Sequence, residues 1–390
     1  MDLSAFFEKI DYEDWEQAKQ ENPQGMACVS ECYINEFPIW EDADIVLVGC
    51  GEDAAGLEQE GCNQAPNVIR QAFYRLAAPW KGIKIADLGN ITEANDMETL
   101  YEKIAIITET ILKQHKILIL LGGTHDLLYG LFKGYESLEH PIEYVSIDSR
   151  LDMLNAEFGI TNHSFNNQLF IHQPNYLKHF CNLGTQNYYV TENERVALRD
   201  LNFESIRVGD LHDNIHLAEP SLRNANLVGF DLSAVRHADA PGAIHPSPAG
   251  LTADQLCRLA RFAGMGYHFN CAGIFELNPT LDIHSQTAQL SALTIWYLIE
   301  GYYNRKYDQP IADRSNVRQL SVQMQGAIKN IQFYYSEITD RWWMEVPDSQ
   351  MLENNTGRSV LVPCTLRDYE IATLDSEIPE RWWIAHYKLV

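Results

Sequence analysis

The amino-acid sequence predicts an α/β fold in which a parallel sheet is covered by helices on both faces. The first observation is a set of short, almost wholly apolar runs, as expected for strands buried on both sides. The runs are Ile45–Gly49, Ile117–Leu121, Tyr144–Ile147, Leu227–Phe230 and Ala272–Phe275. The second is a set of longer segments with apolar residues at helical spacing. They are Met97–His115, Thr252–His268 and Ser285–Tyr303. Strands that alternate with helices are typical of parallel sheets.

The length and net charge of the chain limit its expected domain organisation and the kinds of partner that it binds. The chain has 390 residues, of which 29 are basic and 54 acidic, so its formal net charge is −25. One hydrophobic core rarely grows beyond about 250–300 residues, so a large domain with appended segments, or two domains, is expected. A strongly negative chain repels phosphate backbones and anionic lipids. We therefore expect neither nucleic-acid nor membrane partners.

Cysteine usage and the N-terminal residues predict a cytoplasmic setting. The 8 cysteines are too few and too scattered in a chain of this length for a disulfide framework. Cys28 and Cys32 form a close pair, but no second pair or histidine cluster follows at zinc-site spacing, so a metal or redox role is the less favoured alternative. The acidic N-terminus does not resemble a secretory signal. No apolar run approaches the roughly 18 residues that span a bilayer.

Three segments follow from the pattern along the chain. Residues 1–42 are interpreted as an N-terminal extension, 43–305 as the α/β domain, and 306–390 as a helical and aromatic C-terminal extension packed on that domain. The stretch Asn316–Ser336 is predicted to be a long helix. The extension contains the tripeptide Arg-Trp-Trp twice, at 341–343 and 381–383. These tryptophans either stack on a ligand or, as we favour, pack onto the main domain.

Acids or a histidine follow four of the apolar runs where each run ends. The sequences are GGTHD at 122–126, DSRLD at 148–152, DLS at 231–233 and ELNP at 276–279. A single acid in such a place usually caps a helix or lies in a loop. In open parallel sheets, however, ligands bind outside the carboxyl ends of the strands. Clustered carboxylates stay ionised only beside a cation, so four such strand ends together predict a bound positive charge.

These motifs resemble those of the ureohydrolase family, which comprises arginases, agmatinases and formimidoylglutamases. The family carries GGDHS, DAHxD, SFDxDxxDPxxAPG and ExNPxxD at corresponding strand ends. Here they stand as GGTHD (122–126), DSRLD (148–152), GFDLSAVRHADAPG (229–242) and ELNPTLD (276–282). The resemblance covers residues 45–300 and implies a three-layer α/β/α sandwich with a doubly wound parallel sheet. It also implies a homo-oligomer, since family members are commonly trimers or hexamers.

The resemblance further implies a metal site that is only half retained. Family members use two manganese ions to hydrolyse a C–N bond of a guanidinium or amidine. The ligands of one ion are complete: His125, Asp148, Asp152 and Asp231. The other set has lost two members, since Arg150 replaces a family histidine and Ser233 a family aspartate. We therefore expect at most one Mn²⁺ or other divalent ion, and no second metal site.

Charge counting suggests a role for Arg150. The three retained aspartates contribute −3, which one divalent ion and one guanidinium would neutralise. Arginine cannot ligate a metal but pairs bidentately with carboxylates. We therefore hypothesise that the Arg150 guanidinium occupies the space of the lost ion. In the alternative, Arg150 turns outward and solvent fills the crevice.

The resemblance also assigns residues to substrate and proton transfer. Glu276 matches the acid that pairs with the guanidinium or amidine of the substrate. His163 lies in the loop where relatives place a proton-shuttling or substrate-contacting residue, although a loop histidine is more often exposed and idle. Arg236, like Arg150, is expected to bind the carboxylates of an anionic substrate.

Two functions remain open at this point. The chain is a metal-dependent hydrolase of linear amidines, for which formimidoylglutamate fits the two arginines better than arginine or agmatine does. Alternatively, it is a catalytically inactive relative that keeps the fold for binding or assembly, with Arg150 as a structural counter-ion.

Overall fold

A sheet of ten strands forms the centre of the computed structural model. The structure describes residues 2–52, 61–154, 159–306, 308–310, 316–326, 328–347 and 359–388. Its strands are β1 (Phe7–Glu8), β2 (Ser30–Cys32), β3 (Ile45–Gly49), β4 (Ile85–Ile91), β5 (Ile117–Leu121), β6 (Ile142–Ile147), β7 (Leu177–Thr185), β8 (Glu204–Arg207), β9 (Leu227–Asp231) and β10 (Cys271–Phe275). The spatial order is β1-β4-β3-β5-β10-β9-β6-β7-β8, with β2 paired to β4. All pairings are parallel except that of β1 with β4.

Helices cover both faces of this sheet. In the described residues the helices of the α/β domain and the residues before it are α1 (Tyr12–Glu21), α2 (Met26–Val29), α3 (Ala65–Tyr74), α4 (Met97–Lys113), α5 (Leu127–Lys133), α6 (Phe165–Ile171), α7 (Glu192–Asp200), α8 (Val208–Asp213), α9 (Glu219–Asn224), α10 (Ala253–Gly264) and α11 (Gln286–Tyr303). Two more helices, α12 (Leu366–Glu370) and α13 (Glu380–Lys388), belong to the C-terminal extension. The predicted fold class is confirmed, because the five apolar runs are strands and the three helical segments are α4, α10 and α11.

The alternation of side chains along the strands explains why the apolar runs are continuous. Leu47 and Ile119 belong to one hydrophobic core, whereas Val46 and Leu120 belong to a second core. Successive side chains of a strand point to opposite faces, so a strand covered on both faces must be apolar throughout. The residues before 43 contribute to the same sheet, since β1 and β2 both pair with β4.

The predicted helix Asn316–Ser336 is wrong. This stretch holds two antiparallel strands, β11 (Val317–Gln323) and β12 (Asn330–Ser336), which open a four-stranded sheet completed by β13 (Trp342–Pro347) and β14 (Ser359–Cys364). Val322, Ile331 and Phe333 share a third core with the buried Trp382. Alternate side chains of β11 and β12 point into this core, as expected for strands. Gly326, between the two strands, has a positive φ of 113°, which interrupts a helix.

The third core is attached to the main domain through arginines. Arg341 Nε lies 2.9 Å from Glu219 of α9, and Arg381 Nη2 lies 3.6 Å from Glu204 of β8. Both arginines open an Arg-Trp-Trp tripeptide. Trp343 lies against Arg223 of α9, whereas Trp342 and Trp382 pack in the third core of the extension itself. The predicted segment boundaries at residues 42 and 305 stay predictions.

Candidate metal centre

Four neighbouring strands carry the acids and the histidine that the sequence singles out. β5, β10, β9 and β6 are adjacent in that order, and all four run parallel. Their carboxyl ends therefore meet at one edge of the sheet. His125 follows β5, Glu276 follows β10, Asp231 ends β9, and Asp148 follows β6. The parallel topology, rather than sequence proximity, brings these four residues together.

Four side chains form a compact, buried cluster at this edge, which we call the cage: His125, Asp148, Asp152 and Asp231. One potential ligand atom from each lies within 4.8 Å of the others. The Nδ1 atom of His125 lies 3.1 Å from the Oδ2 of Asp152, and 3.5 Å from the Oδ2 of both Asp148 and Asp231. All four residues expose less than a twentieth of their surface. Three carboxylates thus converge on one imidazole edge away from water.

Protonation shows how the cage balances its charge in the absence of another cation. Burial raises the pKa of Asp148 well above its ordinary value, and the neighbouring Asp152 and Asp231 add to the rise. Burial alone would also raise the pKa of Asp152, but hydrogen bonds with His125 and His163 hold it below its usual range. Although burial alone would lower the pKa of His125, the three neighbouring carboxylates raise it well above 6.5. The cage therefore favours additional positive charge, which protons or a metal ion can supply.

Glu276 and His163 both lie against the cage. Glu276 Oε1 accepts hydrogen bonds from the backbone N–H of His125 at 2.8 Å and from the Asn162 side chain at 3.3 Å. Glu276 Oε2 is buried and has no hydrogen-bond partner among the described residues. Burial, then the charge of Asp231, raises the pKa of Glu276 to about 8. His163 Nδ1 lies 3.3 Å from Asp152 Oδ1, so this histidine is in contact with the cage.

The backbone around the cage is strained at two functional positions. Asp152 has a φ of 48° and Glu276 a φ of 68°, both in the left-handed region that side chains other than glycine rarely adopt. Such conformations cost about 1–3 kcal/mol each and concentrate at ligand sites. The turn after β5 is equally constrained, because a Cβ on Gly123 would lie 1.6 Å from the carbonyl oxygen of Glu52. The glycine there lets two loops meet beneath the cage.

Arg150 does not occupy the place that charge counting predicts. Its guanidinium carbon lies 4.2 Å from the ring centre of Tyr189, in a cation–π contact. Within the described parts of the chain, no carboxylate lies within 4.0 Å of its nitrogens, whereas its backbone N–H donates to Asp148 at 2.8 Å. The hypothesis of an Arg150 ion pair inside the cage is therefore corrected, because an aromatic face competes for the planar guanidinium.

Among the described residues, the side chains of Ser233 and Arg236 likewise make no hydrogen bond or ion pair with the cage. The backbone N–H of Ser233 donates to Asp231 at 2.6 Å, while its hydroxyl oxygen is buried without a hydrogen-bond partner in the described structure. Arg236 is 45% exposed at its side chain and pairs with Asp239 at 2.9 Å. This local ion pair counts against the predicted role of Arg236 in substrate binding.

Sequence reasoning missed three residues around the cage. Asn162 binds Glu276, His245 places its ring 4.6 Å from that of His163, and Tyr189 lies against Arg150. Asn162 immediately precedes the singled-out His163, and that position is the one available signal for it. The other two come from distant loops and carry no motif.

Comparisons with known proteins agree with this geometry. The family model described as "Arginase family" matches residues 43–300. Among curated relatives, the formimidoylglutamase of Macrococcus caseolyticus is 27% identical over 277 residues, which cover 68% of this chain and 87% of the relative. The formimidoylglutamase of Legionella pneumophila (strain Paris) is 23% identical over 276 residues, covering 67% of this chain and 86% of the relative.

Solved structures show the same fold. Trypanosoma cruzi formiminoglutamase, crystallised with Mn²⁺, aligns with a TM-score of 0.64 at 20% identity, covering 68% of this chain and 95% of that one. Bacillus subtilis arginase aligns with a TM-score of 0.58 at 18% identity, covering 67% and 99%. Both alignments leave out a substantial part of this chain. Among the described residues, no helix has the length and apolar character needed to cross a bilayer.

Proposed function

Since this chain belongs to the arginase family, we propose that it is a formimidoylglutamase-like hydrolase of linear amidine C–N bonds that uses one divalent metal ion. The observation that carries the proposal is the cage itself. It brings one imidazole and three carboxylates within 4.8 Å of one another in a buried place. The names of the curated relatives support the substrate class, and the Mn²⁺ of the Trypanosoma cruzi structure supports the choice of metal.

The residues present fit a single divalent ion. Asp148 Oδ2 is buried and has no hydrogen-bond partner in the described structure, and three acids crowd together without a paired arginine or lysine. One nitrogen and three carboxylate oxygens form a donor set that suits manganese, and also iron or zinc. His125, Asp148, Asp152 and Asp231 would hold the ion. When bound, it would act as a Lewis acid and make water a better nucleophile near neutral pH.

The side chains around the cage would bind the amidine and move its protons. Glu276 Oε2 is a buried acceptor without a hydrogen-bond partner among the described residues, which suits an amidinium N–H. Asn162 and the His125 backbone hold the other oxygen of Glu276, so the carboxylate is already oriented. His163 contacts Asp152 and is 9% exposed, so it can exchange a proton between the site and solvent.

A second candidate function is a catalytically inactive family member that only binds a ligand. Ser233 cannot replace a carboxylate ligand, and the Arg150 guanidinium stacks on Tyr189 instead of neutralising the cage. A site with one ion orients a nucleophile less firmly than a pair of ions would. Such a protein would bind its ligand without hydrolysing it.

Metal content and turnover on the full chain separate these functions. The protein is stripped with a chelator, reloaded with Mn²⁺, analysed for metal per chain, and assayed with N-formimidoyl-glutamate for released ammonia and formamide. We expect one ion per chain and turnover that Asp231→Asn abolishes. The control Asp239→Asn changes an acid of the same loop that binds Arg236, and it should retain both. No bound metal, or metal without turnover on any linear amidine, contradicts the hydrolase assignment.

The number of ions is tested separately by restoring the lost ligands. Arg150→His combined with Ser233→Asp should raise the metal content from one equivalent to two. If the unchanged chain already binds two equivalents, or if the double variant still binds one, the assignment of these two positions as lost ligands is wrong.

A further inference from the structure

A cleft outside the cage lies between the α/β domain and the C-terminal extension. It has a cavity volume of about 100 Å³ and is formed by β6, β7, β8 and α9 on one side and by β14 and α13 on the other. Four basic side chains line it, against two acidic ones. The basic residues are Lys178, His179, Arg381 and Lys388, and the acids are Glu143 and Glu204. In a chain of net charge −25, such a local excess of cations is unusual.

Arg381 is the least satisfied of these cations. Its side chain is only 15% exposed, yet in the described residues it makes one hydrogen bond, to Ser221 Oγ at 3.5 Å, and one ion pair, to Glu204 at 3.6 Å. A guanidinium carries five N–H donors in a planar fork that matches a carboxylate. Arg381 therefore has donors left for a ligand at the edge of the cleft.

The two acids of the cleft already have other basic side chains as partners. Glu204 Oε2 lies 2.7 Å from His179 Nε2, and Glu143 lies 2.9 Å from Lys178. Lys388 contacts His179 Nδ1 on the far side of the same ring. Burial, together with the charge of Lys178, lowers the pKa of Lys388 to about 8, although Glu204 and Glu143 oppose the shift. The cations therefore exceed the acids available to pair with them.

The remaining wall of the cleft is apolar. Val362 and Pro363 of β14 line it together with Ile384 and Ala385 of α13. A buried arginine beside an aliphatic wall fits a ligand with one anionic head and a short hydrocarbon body, since an inorganic anion would leave the wall unused.

The cleft is separate from the cage. Glu143, at the start of β6, lines the cleft, whereas Asp148, just past the end of β6, belongs to the cage. A strand rises roughly 3.3 Å per residue, so the two places lie about 17 Å apart along β6. The basic groups on the far side of the cleft, Arg381 and Lys388, both come from the extension that lies beyond residues 43–300.

We propose that this cleft is a binding site for a small aliphatic carboxylate, whose head binds Arg381 and Lys388 and whose chain lies on the β14 and α13 side chains. Neither the cage nor its metal takes part in this binding. The site therefore stands independently of the proposed hydrolase activity.

Calorimetric titration of the metal-free full chain with hexanoate tests the proposal. We expect saturable one-to-one binding, at least tenfold weaker binding of the neutral hexanamide, and weaker binding of inorganic phosphate, which lacks the chain. Arg381→Gln should weaken hexanoate binding by roughly tenfold or more. The control Arg367→Gln, at an arginine of the same extension that is 57% exposed, should not. Equal binding of hexanoate and hexanamide, or unchanged binding to Arg381→Gln, overturns the proposal.

A measurement on the unchanged chain covers the case in which Arg381→Gln fails to fold. An acylating reagent at pH 8 should modify Lys388, and saturating hexanoate should slow that modification severalfold relative to the exposed Lys113. Mass spectrometry of the digested protein quantifies both lysines. Identical rates at Lys388 with and without hexanoate contradict the proposed site.

Discussion

Two regions of this molecule bury charged side chains, and they balance charge in opposite ways. The cage gathers three carboxylates around one histidine, and no arginine or lysine of the described chain pairs with them. The interface between the α/β domain and the extension instead contains arginines matched by acids. Arg223 and Arg341 both bind Glu219, at 2.7 and 2.9 Å, and Arg341 lies 3.8 Å from Asp308.

This difference in charge balance distinguishes a binding site from a structural contact. Around Glu219, the buried Arg223 and Arg341 both have a partner of opposite sign, and Arg223 also covers the ring of Trp343 at 4.6 Å. Loss of one partner would leave an uncompensated charge. In the cage the partner is missing already, and the high pKa of Asp148 records the cost of ionisation. A cation from outside the chain would remove that cost.

Breaking the interface should have the largest effect on stability. Arg341→Leu leaves Glu219 and Asp308 buried with one cation fewer, since the Arg341 side chain is 5% exposed. We expect the free energy of unfolding in urea to fall by about 3–5 kcal/mol. Arg318→Leu is the control, because Arg318 pairs with Glu337 at a site that is 69% exposed and should cost less than about 1 kcal/mol. Equal effects of the two changes would contradict the structural role of the interface pairs.

In the cage, by contrast, removal of a charged side chain should not lower the free energy of unfolding of the metal-free protein. Asp148→Asn removes one of three crowded carboxylates, so the metal-free protein should be at least as stable as the unchanged chain. Mn²⁺ at a hundredfold excess over its Kd should stabilise the unchanged chain by about 2.7 kcal/mol and the variant by almost nothing. Urea unfolding with and without Mn²⁺ measures both. A metal-free variant that is markedly less stable would show that the cage carboxylates are structural.

The ion pairs of the cleft predict that the free energy of unfolding depends on pH. Burial alone would raise the pKa of Glu204, but Arg381 and the His179 hydrogen bond lower it to about 2. A depressed carboxyl pKa stabilises the folded state above the unfolded pKa near 4.5, and this stabilisation is lost as the pH falls towards 2. Glu204→Gln should therefore cost about 2 kcal/mol at pH 7.

Unfolding in urea at pH 7, 5 and 3 checks this dependence. The difference between the unchanged chain and Glu204→Gln should be equal at pH 7 and 5 and smaller at pH 3. A difference that stays constant across the series would mean that Glu204 acts through packing and not through its charge.

The smallest expected loss of stability comes from removing a helix cap in the extension. Thr365 caps α12, with its hydroxyl accepting from the N–H of Asp368 while the Asp368 carboxylate accepts from the N–H of Thr365. Thr365→Ala should lower the stability by about 1 kcal/mol, well below the cost of Arg341→Leu. Thermal unfolding of both variants gives the ranking. A reversed ranking would mean that the helix ends, and not the ion pairs, stabilise the extension.

The repeated Arg-Trp-Trp tripeptide shows where sequence reasoning stops. In the strand β13 the second tryptophan, Trp343, is buried beneath Arg223, whereas in the helix α13 the first, Trp382, is buried and Trp383 is 36% exposed. Neighbouring residues point to opposite faces of a strand but are about 100° apart around a helix. The same three residues therefore bury different rings, and a repeated motif does not imply a repeated structure.

The α/β fold and the gathering of strand-end acids at one edge could be predicted from the chain because their signals are local, whereas the choice of His125, Asp148, Asp152 and Asp231 as ligands came from the family resemblance. Apolar runs and strand-end acids are contiguous in sequence, and parallel strands place such ends on one edge. The position of the Arg150 guanidinium, the hairpin at 317–336 and the cationic cleft could not be predicted. Each depends on a partner distant in sequence, namely Tyr189, the third core around Trp382, or β7 and β8 facing α13. Tertiary packing selects among the contacts that a charged or aromatic side chain can make, and local sequence does not encode that choice.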